Sequence, residues 1–150
     1  MMFLFGSTLE AMPTSQQKIE WNNELSIGVS RIDEDHKSII GKINLLDDSL
    51  SEHDFFLTLH EVVCDLIKRS ERHLECEEKQ LLKNGYPNLE ERSEYHLSYM
   101  EKLTEFALCL SSRNCGDYYK IKDYLQNWWM NHITEEDRKT RDFFSQSFQC

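Results

Sequence analysis

Four of the six histidines in this 150-residue chain, His36, His73, His96 and His132, fall on the apolar stripes of four separate helical segments. Glu77 follows His73 by four residues, so the two share one helix face. A carboxylate on an inward face is costly to bury alone and needs a cation or a donor. Imidazole and carboxylate together are ligand types suited to iron and its neighbours. Taken singly, a histidine on an apolar face is more often an ordinary core residue, and helices produce H-x3-E pairs freely. A histidine from each of four helices, converging with a carboxylate at one depth, describes a metal cage in a bundle core. His53 and His60 fall off the stripes.

The segments that carry these residues are read from apolar spacing. The first runs from about Asp33 to Leu50, with Ile32, His36, Ile39, Ile40, Ile43, Leu46 and Leu50 inward. The second runs from about Asp54 to Lys83 along Phe56, Leu59, Val63, Leu66, Ser70, His73, Glu77 and Leu81. It stops at Asn84-Gly85-Tyr86-Pro87, a strong C-terminal signal. The third spans about Leu89 to Ser112 and places Arg92, His96, Tyr99, Leu103, Phe106 and Leu110 on one face. After a break at Asn114–Asp117, with Asp117 as N-cap, the fourth runs from about Tyr118 to Phe143 through Ile121, Leu125, Trp128, His132 and Ile133. Short breaks between amphipathic helices imply an all-α, up-down-up-down four-helix bundle. Residues 1–20 read as a flexible leader, with Met12 a second candidate start, and 21–145 as the bundle with an extended N-terminal arm over Trp21–Ile32.

Composition agrees. Five glycines and two prolines are too few for the turns of a sheet protein, and 39% apolar residues suffice for a core. The formal charge of −10 disfavours nucleic acid and anionic membrane as partners. No apolar run approaches the roughly 20 residues of a transmembrane helix, and the apolar opening MMFLFG has no basic residue before it, so the expected location is cytoplasmic. Cys64, Cys76, Cys109, Cys115 and Cys150 form no C-x-x-C pair and are odd in number, so free thiols are expected.

Several motifs together resemble the bacterial hemerythrins over about Trp21 to Phe143. They are W-x3-L-S-I-G-V-x2-I-D-x2-H ending at His36, H-x3-E-E from His73 to Glu78, and G-Y-P at Gly85–Pro87 with His96 eleven residues after the glycine. The last is W-W-x2-H-I-x3-D from Trp128 to Asp137. The resemblance implies a non-haem di-iron centre held by five histidines and bridged by a Glu and an Asp. Carried over, His36 and His73 would hold the iron that meets O2, His96 and His132 the other iron, and Glu77 and Asp137 the bridge. Asp137 lies five residues from His132, which a regular helix rotates well away, so only the resemblance nominates it.

This chain departs from the family pattern twice. The third helix normally reads H-x3-H, but seven residues after Gly85 stands Arg92, which has no lone pair for a metal. Three outcomes are open. Both irons bind, with water, Cys76 or Glu94 filling the gap; or the Arg92 guanidinium replaces one cation and forks onto Glu77 or Asp137, leaving one iron or none; or Arg92 turns outward to solvent. The second departure is Trp129, where the family carries a leucine lining the O2 space. Trp128, Trp129 and Ile133 are the candidate ligand-pocket wall, with Ile40 weaker. An indole there would plug part of the space or simply fill core.

The resemblance therefore points to an iron protein that binds O2 or a similar diatomic ligand for carriage, storage or sensing, and not to an enzyme. The alternatives are a regulatory or structural module with one or no iron, and a weak di-iron oxidase or peroxidase.

Overall fold

The computed structural model describes residues 17–144. Residues 1–16, which carry most of the proposed leader and Met12, and residues 145–150, including Cys150, lie outside the described residues.

Four helices build the molecule: α1 (Ser30–Asn44), α2 (Glu52–Lys83), α3 (Leu89–Ser112) and α4 (Tyr118–Asn131). They form an up-down-up-down bundle, and no strand occurs among the described residues. At 32 residues α2 is about 48 Å long, the spine on which the other three pack. Its N-terminus is capped by Ser51, whose Oγ accepts from the Asp54 amide at 3.0 Å. Its C-terminus closes as the sequence indicates. Gly85 turns to φ +77°, the Tyr86 amide donates to the Leu81 carbonyl, and the Gly85 amide donates to that of Leu82. Asp117 caps α4 by accepting from the Tyr119 amide at 2.9 Å.

The arm is only partly extended. A 3-10 turn covers Asn23–Leu25, and α1 starts at Ser30, three residues earlier than the apolar spacing indicates. Asp33 fixes the arm by accepting from the Ser26 hydroxyl at 2.5 Å and the Ile27 amide at 3.0 Å. Ile27, Val29 and Ile32 then pack on Cys76, Leu81 and Phe144.

The apolar core fills one half of the bundle around Leu59, Val63, Leu66, Leu103 and Leu125. The other half contains the polar stripe residues. Leu50, read as inward, is 93% exposed. The helix tightens into a 3-10 turn over Leu45–Asp48 and the stripe loses its phase before reaching it. Phe106 and Trp128 are half-buried at the margin of the core.

The cysteine expectation needs correction. Cys109 and Cys115 form a disulfide. Arg113 adopts the left-handed conformation (φ 58°) and ends α3 by turning the chain back, so residues six apart in sequence meet. Among the described residues Cys64 is a free thiol, and it is exposed.

Candidate metal centre

Five side chains converge in the polar half: His36 from α1, His73 and Glu77 from α2, and His132 and Asp137 from the end of the fourth helix. Their ligand atoms all lie within 4.8 Å of one another, and every one of the five residues is buried. On α2 the four-residue spacing puts His73 Nε2 2.6 Å from Glu77 Oε2. His36 Nε2 lies 2.9 Å from Asp137 Oδ2, and His132 Nε2 lies 3.0 Å from the same oxygen.

The five-residue step from His132 to Asp137 is solved by the backbone. α4 does not continue as a regular helix. Residues His132–Asp137 form a π-helical stretch, followed by a short helical turn at Arg138–Thr140 and a 3-10 turn at Arg141–Phe143. In a π-helix residues i and i+5 stack as i and i+4 do in an α-helix, so both ligands face the interior. The predicted helix over Tyr118–Phe143 is thus helical throughout, with one residue more in this turn than a regular helix holds.

Arg92 does not turn outward. It is 3% exposed, and all its N–H groups are directed into the protein. Nε donates to His96 Nε2 at 3.2 Å; Nη1 donates to the Glu136 carbonyl at 2.8 Å and to Thr140 Oγ1 at 3.4 Å; Nη2 donates to Glu77 Oε1 at 3.4 Å and to Asp137 Oδ1. That is one acceptor for each of the five donors a guanidinium carries. Asp137 is therefore divided, with Oδ2 facing His36 and His132 and Oδ1 taking the guanidinium. Oε2 of Glu77 faces His73, and its Oε1 lies 3.4 Å from both Arg92 Nη2 and His132 Nε2.

His96 stands beside the cluster rather than in it. Because Arg92 donates to its Nε2, that lone pair is taken, and the ring proton lies on Nδ1, which donates to Glu78 Oε2 at 2.7 Å. Ser93 Oγ donates to the other oxygen of Glu78 at 2.6 Å. Glu78 has no role in the sequence reading beyond its place in the H-x3-E-E motif. Asp35, likewise unnoticed, accepts from His73 Nδ1 at 3.0 Å and so directs Nε2 toward the cluster. Cys76 packs with the arm, and Glu94 is exposed; neither joins the cluster.

Charges follow from this geometry. Burial opposes ionisation of Glu77, but His73 and His132 bring its carboxyl well below the usual range. Burial likewise disfavours an imidazolium at His73, yet Glu77 and Asp35 outweigh it and hold that group up to about 10. Burial carries His36 and His96 below the ordinary histidine value.

The donor set can be tested for fit. Nε2 of His36, His73 and His132, Oε2 of Glu77 and Oδ2 of Asp137 are all buried without a well-formed hydrogen bond. Buried polar atoms are ordinarily satisfied, and five orphans aimed at one point fit a cation. Three imidazole nitrogens with two carboxylate oxygens suit iron. The Arg92 guanidinium sits on Asp137 Oδ1 and 3.4 Å from Glu77 Oε1, where it would compete with a second cation.

The wall of the cluster is aromatic. Trp129 is fully buried, its ring centroid 6.1, 5.9 and 5.1 Å from those of His36, His73 and His132. Its Nε1 donates to Tyr99 Oη at 2.8 Å, and that hydroxyl also pairs with Ser70 Oγ at 3.0 Å. Trp128 stacks on His132 at 4.9 Å. Ile133 packs with Leu25 and Ile40, away from the large apolar core.

Comparison with known proteins finds similarity to hemerythrins. The chain is 27% identical to a bacteriohemerythrin of Pseudomonas paraeruginosa over 118 residues, 78% of this chain and 75% of that one. It is 25% identical to the bacteriohemerythrin of Clostridium acetobutylicum over 127 residues, 81% and 98% of the two chains. It is 26% identical to a myohemerythrin of Theromyzon tessulatum over 120 residues, 80% and 88%. A solved crystal structure of a leucine-to-phenylalanine mutant shares the fold, with a TM-score of 0.71 and 19% identity over 81% of this chain and 93% of that one. The model of the hemerythrin HHE cation-binding domain matches residues 27–141. That span contains every segment feeding the cluster, and the chain belongs to the hemerythrin HHE cation-binding domain family.

Proposed function

We propose that this domain holds one iron per chain, through His36, His73, His132, Glu77 and Asp137, with Arg92 taking the place of the second cation. One observation carries this reading: Asp137 turns Oδ2 to His36 and His132 and Oδ1 to the guanidinium, which also reaches Oε1 of Glu77. When bound, iron supplies a one-electron redox change and a position for a small ligand. The function supported best is binding or sensing of O2 or a similar diatomic molecule, in keeping with the hemerythrin relatives, and is a binding role rather than a catalytic one. Trp129 and Ile133 exclude water from the histidine side, Asp35 orients His73, and His96 with Glu78 holds Arg92 in place.

A second reading is favoured by the five satisfied donors of Arg92: a structural or regulatory module that keeps its fold with no iron. Among the described residues no helix is long and apolar enough to cross a membrane. The Cys109–Cys115 disulfide weighs against the cytoplasmic expectation, because a reducing compartment disfavours such a bond.

Elemental analysis after anaerobic iron loading, with absorption spectra before and after reduction and on adding O2 or nitric oxide, tests the proposal. One iron per chain with a ligand-dependent spectrum supports it. Two irons overturn the guanidinium substitution, and none favours the second reading.

A further inference from the structure

We propose that Trp128 and Tyr95 form a one-electron ladder between the metal centre and solvent, an inference that rests on the iron reading above. The Trp128 and His132 rings lie nearly parallel, with centroids 4.9 Å apart and planes 12° apart. Trp128 and Tyr95 do the same at 5.0 Å and 15°. Tyr95 is also parallel to His132, at 6.4 Å and 16°. The three rings, from two helices, form a triangle of nearly parallel planes, and one of them, His132, belongs to the metal cluster. Aromatic pairs settle either offset-stacked, as these three rings do, or edge-to-face, as Trp129 does against both His132 and Tyr99. Indole and phenol are the aromatic side chains that most readily release an electron.

The outer side of the triangle reaches solvent. Trp128 and Tyr95 are half-buried, and Tyr95 lines a surface cleft of about 200 Å3 with Tyr86, Asn88, Glu91 and Lys139. The Tyr95 oxygen accepts from Asn131 Nδ2 at 3.1 Å, which leaves its own proton available to water. Tyr99 lies closer to Trp128, at 3.9 Å and 20°, but it is fully buried and its hydroxyl is enclosed between Ser70 and Trp129. Its proton has no exit. Tyr99 supports the ladder, and Tyr95 is its terminus.

The electron count closes with one external reagent, a hydrogen-atom donor of the enediol class. Trp128 passes one electron through His132 to the oxidised metal. Tyr95 refills the indole, losing one electron and its hydroxyl proton, the latter to water in the cleft. The donor's O–H bond breaks and returns one hydrogen atom to the phenoxyl. In total the donor is oxidised by one electron, the metal is reduced by one, and one proton is released.

Two measurements test this. In iron-free protein, tryptophan is oxidised by pulse-generated azide radicals, and transfer to tyrosine is followed as indolyl absorbance decays and phenoxyl absorbance grows. Tyr95→Phe is expected to lose most of that growth, and Tyr99→Phe to keep it. In iron-loaded protein, ascorbate reduction of the ferric centre is expected to slow about ten-fold in Trp128→Phe and in Tyr95→Phe at unchanged iron content. Trp128→Tyr, which restores an oxidisable ring, recovers the rate. Phenoxyl growth that persists in Tyr95→Phe, or reduction rates that ignore both phenylalanine variants, overturns the ladder. A chain that transfers from tryptophan to Tyr95 but takes up no iron overturns the metal reading and the inner end of the ladder with it, while the Trp128–Tyr95 step stands.

Discussion

Arg92 and Asp137, 45 residues apart in sequence, meet in the bundle core with the guanidinium on Oδ1. The other oxygen of Asp137 lies 2.9 Å from His36 and 3.0 Å from His132. A single carboxylate thus spans an arginine on one side and a histidine pocket on the other.

The first prediction concerns that span. Arg92→His supplies the missing imidazole and removes the competing cation, so iron content is expected to rise from one to two per chain by elemental analysis. Arg92→Ala leaves two buried carboxylates short of their partner and is expected to cost about 3–5 kcal/mol in urea unfolding of the iron-free protein. Equal iron in the parent and in Arg92→His refutes the substitution.

Asp35→Asn tests the outer layer. Without the carboxylate that orients His73, iron affinity is expected to fall about 10–100-fold in competition with a chelator, while helicity measured by circular dichroism is retained. An unchanged affinity shows that α2 packing alone positions the ring.

The π-helical stretch makes an unusual prediction about chain length. Deleting exposed Glu135 converts five-residue spacing to four, which a regular helix accommodates, so His132 and the aspartate stay on one face and iron binding survives. Inserting an alanine after Glu135 rotates the aspartate by about 100° and is expected to abolish iron binding without loss of helix content. Loss of iron in the deletion variant refutes the spacing argument.

Trp129→Leu opens space beside three histidines. The packing loss is expected to destabilise the protein by roughly 2–4 kcal/mol. In stopped-flow mixing, nitric oxide should reach the ferrous centre faster than in the parent. An unchanged rate means the indole is core filling and does not obstruct the ligand's path.

These outcomes also show how far the sequence could be read. His36, His73, Glu77 and His132 are legible because each lies on a regular apolar stripe, and their burial follows from helix phase. Asp137 is not legible that way, since the α-helical period misplaces it and only the π turn restores it. The separation of His96 from the cluster depends on the reach of the Arg92 side chain, which no spacing encodes. Asp35 and Glu78 act on histidines 38 and 18 residues away, on other helices, so their roles appear only when the bundle is assembled. Leu50 and the Cys109–Cys115 pair were misread for one shared reason: both lie where a helix ends in a tightened or left-handed turn.

A guanidinium does not surrender its proton under physiological conditions, so the positive charge at Arg92 is permanent. Chelators and reductants that strip or alter a bound ion leave it untouched. In the proposed one-iron site, one of two cationic places is filled at the ribosome, encoded by a codon, and the other would depend on the supply of iron to the cell.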